Sequence, residues 1–123
     1  MPIIRSEDAP AFELPGIDVT GFAAPARGST ESTTYRLDVR PGEELPKHRH
    51  DHEEIVHVLA GPFFQILDEE TFELQAGDTA VIPAGTLHYG YAKDAPSSLY
   101  CAMPAGTLMQ RLDGTETVPP WGD

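Results

Sequence analysis

The stretch GEELPKHRHDHEEIVHVLAG, residues 42–61, holds four of the chain's five histidines and decides which fold we expect. His48, His50 and Glu54 are separated by two and four residues, so on an extended strand their side chains point to one face. Same-face neighbours lie about 6.6 Å apart at Cα, close enough for two imidazoles to converge on one ion. Because imidazole nitrogen and carboxylate oxygen are ligands of divalent transition metals, this spacing predicts a metal site.

A second stretch, GDTAVIPAGTLH at residues 77–88, completes the predicted site. It is typical of a short strand followed by a Pro-Ala-Gly turn, with His88 at the head of the next strand. We therefore hypothesise one divalent transition metal ion, which is Fe, Mn, Ni, Co or Zn. Its expected ligands are His48, His50, Glu54 and His88.

The two stretches resemble the two signature motifs of the cupin superfamily. The first motif, G-x5-H-x-H-x3(or 4)-E-x6-G, is met at residues 42, 48, 50, 54 and 61. The second, G-x5-P-x-G-x2-H-x3-N, is met at Gly77, Pro83, Gly85 and His88, while Ala92 stands where the family has Asn. The resemblance implies an all-β, jelly-roll-like barrel of two packed sheets (a double-stranded β-helix) with the metal deep inside its mouth. It also implies a homodimer, because small cupins commonly pair by exchanging edge strands.

Length and composition are consistent with one small β domain. A chain of 123 residues forms a single domain with its own core, and 12 Pro with 11 Gly favour short strands joined by turns. We expect one cupin domain over residues 1–123, with the barrel at about 32–104. An N-terminal arm, residues 1–11, is expected to form an edge strand. The tail at 104–123 is expected to be irregular, with at most one helical turn near 108–112.

Charge and composition disfavour several partners. Twenty acidic residues against eight basic ones give a net charge of -12, which repels phosphate backbones and anionic membrane surfaces. No apolar run approaches the roughly 18 residues of a membrane span, and the first residues lack a signal-peptide pattern, so a cytoplasmic location is expected. The single cysteine, Cys101, is interpreted as a buried small hydrophobe.

The candidates for the substrate pocket are Val56 and Val58, which share the face of Glu54, and Tyr35 on the strand opposite. One of Phe64, Gln65 and Ile66 is expected to join them, and Gln65 is the candidate we name, because the Phe63-Phe64 pair hides the alternation there. Gly90 and Ala92 share the parity of His88, so their small side chains are expected to leave room for a ligand. An apolar pocket with few polar groups indicates a small, partly apolar organic molecule.

Acid–base candidates are His52 and Glu53. We expect His52 at the barrel rim, with a role in proton transfer as the alternative, and we expect Glu53 to face outward. His57 has the opposite parity to Glu54 and should point away from the metal.

Three classes of function fit this pattern. The first is a metal-dependent enzyme that oxidises a small organic molecule in a dioxygenase-type reaction, because three imidazoles and a carboxylate leave two positions of an octahedral ion for oxygen and substrate. The second is metal-assisted isomerase or lyase chemistry without oxygen. The third is a metal-containing protein that binds a small ligand without turnover, since the fold alone does not fix function.

Overall fold

The chain forms two six-stranded antiparallel sheets, and a computed structural model describes all of its residues, 1–123. The strands of the first sheet are, in spatial order, β1 (Ala11–Leu14), β2 (Ile17–Gly21), β3 (Ser32–Val39), β10 (Ser97–Pro104), β5 (Glu54–Ala60) and β8 (Thr79–Ile82). Those of the second are β12 (Glu116–Thr117), β11 (Met109–Arg111), β4 (His48–His50), β9 (His88–Tyr91), β6 (Phe63–Leu67) and β7 (Glu70–Leu74). The all-β, double-stranded β-helix fold expected from the motifs is confirmed.

Only short 3-10 turns interrupt the strands, at Ser6–Asp8, Pro25–Arg27 and Pro120–Gly122. None of these helical segments has the length and hydrophobicity that crossing a bilayer as a helix requires. Alternation of apolar and polar residues builds the core. In β3, for example, Tyr35, Leu37 and Val39 are buried while the residues between them are partly exposed. Fifteen buried apolar side chains from both sheets form one cluster between them.

Two expectations about the chain ends are wrong. The tail beyond residue 104 is not irregular throughout, because residues 109–111 pair with β4 and form strand β11. This pairing satisfies the backbone polar groups of the segment, so the single helical turn that the sequence allowed near 108–112 does not form. The N-terminal arm forms no strand before Ala11 and carries only the 3-10 turn at Ser6–Asp8.

The flanking segments also contribute more than we expected. Strands β1 and β2, which precede residue 32, belong to the first sheet, and β11 and β12, which follow residue 104, belong to the second. Trp121, in the tail expected to be irregular, is buried in the core cluster. Both ends of the chain therefore reach the mouth of the barrel, where the histidines lie.

Candidate metal centre

Neighbouring strands bring the three histidines together. His48 and His50 point inward from β4, and His88 is directly opposite His48 on the antiparallel strand β9. Gly85 fixes the turn before His88: its φ of 81° is in the left-handed region, and its N–H donates to the His50 carbonyl oxygen at 2.9 Å. Glu54 is the first residue of β5 and approaches from the facing sheet. All four side chains are buried.

The same hydrogen-bonding pattern orients each ring. The Nδ1 atoms of His48, His50 and His88 lie 2.7, 3.0 and 2.9 Å from the carbonyl oxygens of Pro46, Leu108 and Thr86, respectively. A carbonyl oxygen only accepts, so each Nδ1 must carry the proton. Each neutral ring therefore directs the lone pair of its Nε2 into the barrel, which is the arrangement that metal-ligating histidines adopt.

While the rings are neutral, these lone pairs face no hydrogen-bond donor. Only a proton on the Nε2 of His50 would give that atom a hydrogen bond, to Glu54. The ligand atoms of the three histidines lie within 4.8 Å of one another, and the Nε2 atoms of His48 and His50 are only 3.1 Å apart. Two acceptor nitrogens cannot hydrogen-bond to each other, and the buried Nε2 of His88 has no hydrogen-bond partner at all. A cation among them would satisfy all three atoms, so the donor set fits a divalent transition metal ion.

Glu54 closes one side of the cluster. Its Oε2 lies 3.2 Å from His50 Nε2, and its Oε1 lies 3.8 Å from His88 Nε2. The hydroxyl of Tyr35 donates to Oε2 at 2.6 Å, a short bond of the kind made to a charged acceptor. Tyr35 therefore holds the carboxylate against the imidazoles.

Burial and the neighbouring charges set the protonation states. Burial alone would raise the pKa of Glu54, but the hydrogen bond and charge of His50 outweigh it and lower the pKa to about 2. Burial and the adjacent His88 and His50 lower the pKa of His48 to about 4. Burial and the Glu54 charge raise the pKa of Tyr35 well above its ordinary value. At neutral pH the site therefore contains a carboxylate, a neutral His48 and a protonated tyrosine.

A narrow inner cavity lies beside this cluster. Its volume is about 30 Å³, and Tyr35, Val56 and Gln65 line it, as the sequence pattern predicted for pocket residues. Val58 does not line it, because β5 has by then run past the cluster and Val58 is fully buried in the core. The expected space at Gly90 is filled by the Phe63 ring, which a Cβ at Gly90 would overlap.

A wider outer cavity of about 370 Å³ shares five lining residues with the inner one: Leu14, Pro46, His48, Met109 and Trp121. Sequence reasoning missed most of these positions. Trp121 is the chain's one tryptophan and follows two prolines in the tail. A large apolar side chain after two stiff residues could have indicated that the C-terminus packs on the core. Met109 was missed because the tail around it was expected to be irregular.

The acid–base candidates do not reach the cluster. His52 and Glu53 are exposed and line neither cavity, and the Nδ1 of His52 lies 3.0 Å from Asp51 Oδ1 at the surface. His57 points away from the cluster, with its Nδ1 2.8 Å from the Thr79 hydroxyl. The titratable groups that do border the inner cavity beside the histidines are Glu54, Tyr35 and Cys101.

Two packed antiparallel sheets around a buried three-histidine cluster define a barrel protein of the double-stranded β-helix class. Residues 35–103, more than half of the chain, match the family model of the cupin domain. The chain belongs to the cupin superfamily, as the two motifs predicted.

Individual relatives cover much of the chain. Protein SchB of Streptomyces halstedii is 34% identical over 88 residues, which are 70% of this chain and 64% of that protein. The polyketide cyclase RemF from Streptomyces resistomycificus superposes with a TM-score of 0.77 and 19% identity, covering 87% of this chain and 81% of RemF. Salicylate 1,2-dioxygenase from Pseudoaminobacter salicylatoxidans, with gentisate, gives a TM-score of 0.69 and 22% identity, covering 80% of this chain and 28% of that chain. At such identities the two structures establish similarity of fold.

Proposed function

We propose that this cupin is a metal-dependent enzyme that acts on a small organic molecule. The observation that carries the proposal is the convergence of three Nε2 lone pairs, each fixed by a backbone carbonyl, beside a buried carboxylate. His48, His50, Glu54 and His88 would hold the ion. When bound, the ion would supply Lewis-acid or redox chemistry.

Dioxygenase-type oxidation is the first candidate reaction. The inner cavity is mostly apolar and narrow, so it excludes bulk water from the cluster. Leu37, Val56 and Leu99 supply this apolar wall. Similarity of fold to salicylate 1,2-dioxygenase supports the same choice by analogy only.

Non-oxidative isomerase, lyase or cyclisation chemistry is the second candidate, and a specific contact favours it. Tyr35 and Glu54 form a buried donor–acceptor pair with a 2.6 Å hydrogen bond beside the cluster. With Glu54 among the ligands, the phenol of Tyr35 is the group beside the ion that can donate a proton to a substrate and take it back. The fold similarity to the polyketide cyclase RemF is in line with such chemistry.

Oxygen dependence separates the two candidates. The protein, purified without chelators and loaded with iron(II), would be tested for oxygen consumption with a panel of catechols, diketones and thiols. The same panel would be followed for substrate loss under anaerobic conditions. Oxygen uptake tied to substrate loss supports the first reaction, and full anaerobic turnover supports the second.

Two variants test the site itself. His50→Ala should abolish whichever turnover is found, whereas His57→Gln, on the outer face of β5, should retain it. Metal-loaded protein that is inert in both assays, yet stabilised by a small metabolite in a thermal-shift screen, would overturn the enzyme proposal in favour of a binding protein.

We also propose that the chain forms a homodimer through the outer face of the first sheet. Ile55 and Val81 are paired directly across β5 and β8 and are both exposed, as are Leu59 and Tyr100 nearby. Light scattering should give twice the chain mass for the wild type. Val81→Glu should give monomers, while the same change at exposed Leu112 should not, and a dimeric Val81→Glu protein would exclude this face.

A further inference from the structure

The inner cavity is too small for an organic substrate. Its volume of about 30 Å³ is far below the roughly 300–1,000 Å³ of small-molecule sites. The outer cavity, of about 370 Å³, falls in the range of small-molecule sites. Since the two share His48 and Trp121, a molecule in the outer cavity can direct one polar atom inward to the cluster while its body stays outside.

One wall of the outer cavity is built from aromatic and proline side chains. Phe12 on β1 and Trp121 near the C-terminus meet edge to face, with ring centroids 6.3 Å apart and planes at 61°. Pro119 and Pro120 continue the same wall. Trp121 is itself buried, so its ring is held in place by the core behind it. Rigid aromatic and proline surfaces favour a planar, conjugated ligand.

Arg111 supplies a positive charge at the same cavity. It is directly opposite His48 in the β4–β11 pair, so both side chains project from one face of the sheet. Its side chain makes one hydrogen bond, from Nη1 to the Thr117 hydroxyl at 2.9 Å, and it joins none of the chain's salt bridges. In a chain of net charge -12, an arginine beside the site without a carboxylate partner favours an anionic ligand group.

Glu13 restricts the ligand to a single negative charge. It lines the same cavity as Arg111 and is the other lining residue that is charged at neutral pH, where His48 is neutral. A second anionic group on the ligand would meet this carboxylate and be repelled.

We propose that the outer cavity binds the body of the substrate, and that this substrate is a planar conjugated molecule carrying one anionic group, a carboxylate or phenolate, that pairs with Arg111. The inference rests on the proposed function in one respect: it takes the bound molecule to be the substrate of an enzyme. Arg111 is a specificity-determining residue, while the reacting atoms lie further in, beside the histidines.

Matched probes and the single tryptophan test the proposal without turnover. The full chain, loaded with zinc, would be titrated with 2-naphthoate and with its neutral counterpart 2-naphthamide. Isothermal titration calorimetry gives the two affinities, and quenching of Trp121 fluorescence reports whether the probe lies against the proposed wall. We expect 2-naphthoate to bind roughly tenfold more tightly, the effect of one charge-assisted contact.

The preference should disappear in Arg111→Gln and survive in part in Arg111→Lys. Arg49→Gln is the matched control: it removes the same charge from the adjacent strand, but Arg49 alternates with the inward His48 and His50 and does not line the cavity. Thermal melts establish that each variant is folded.

Two results would overturn the inference: an unchanged preference in folded Arg111→Gln, or binding that leaves Trp121 fluorescence unaltered. Absence of binding by either probe would overturn it as well. No step of this assay requires catalysis. A protein that binds 2-naphthoate as expected but turns over no substrate would therefore contradict the proposed function and leave the binding inference standing.

Discussion

The hydrogen bond between Tyr35 and Glu54 gives the sharpest quantitative prediction. The Tyr35 hydroxyl donates to Glu54 Oε2 at 2.6 Å, and both residues are buried. A hydrogen bond to a charged group contributes about 1.5–3 kcal/mol to stability. Tyr35→Phe removes this bond and keeps the ring, so the free energy of unfolding of the metal-free protein should fall by about that amount.

The pH dependence of this loss has a definite sign. The pKa of Glu54 is lowered from 4.5 to about 2 in the folded chain, so its contribution to stability is present above the ordinary value and is lost as pH falls through about 2. Tyr35, whose pKa is raised, stays protonated at neutral pH and remains a donor. The difference between wild type and Tyr35→Phe should therefore be full at neutral pH and shrink as the solution is acidified below pH 4.5.

Urea unfolding of chelator-treated protein, followed by tryptophan fluorescence and circular dichroism, measures the difference. Tyr91→Phe is the matched control, because that tyrosine is half-buried on β9, its ring stacks on Phe64, and its hydroxyl makes no hydrogen bond within the chain. Equal stability of Tyr35→Phe and Tyr91→Phe at neutral pH would refute the reasoning. So would a loss of the same size at pH 7 and in acid.

Three further predictions concern the metal and the core. His50→Ala should lower bound metal far below one ion per chain in elemental analysis, and stoichiometric metal in that variant would contradict the ligand assignment. Burial opposes the charged form of His50, but Glu54 outweighs it and raises the pKa of His50, so protons should compete with the metal for this ring. Metal affinity, measured by chelator competition, should therefore fall as the pH drops through that raised pKa. An affinity that does not change with pH would contradict this prediction. Gly90→Ala should cost about 1–3 kcal/mol because the new methyl group overlaps the Phe63 ring, and adding Phe63→Leu should recover part of the loss in denaturant titrations.

Some features of the site could be predicted from local sequence. The parity of His48, His50 and Glu54 and the turn before His88 are short-range patterns, and the structure brings these four side chains together as expected. The same alternation predicted Tyr35 and Val56 as pocket residues, and both line the inner cavity, whereas it did not decide among Phe64, Gln65 and Ile66. It failed at Gly90, because whether a small residue leaves space depends on which side chain packs opposite, and here Phe63 fills it.

The sequence by itself determined an all-β chain with two cupin motifs, because strand alternation and fixed motif spacing are properties of neighbouring residues. Only the tertiary structure decided which distant segments close the mouth of the barrel. Trp121 and Arg111 reach the site because β11 pairs with β4 and the C-terminal turn packs on the core. Such contacts arise from burial and pairing between residues far apart in the chain, which no local periodicity records.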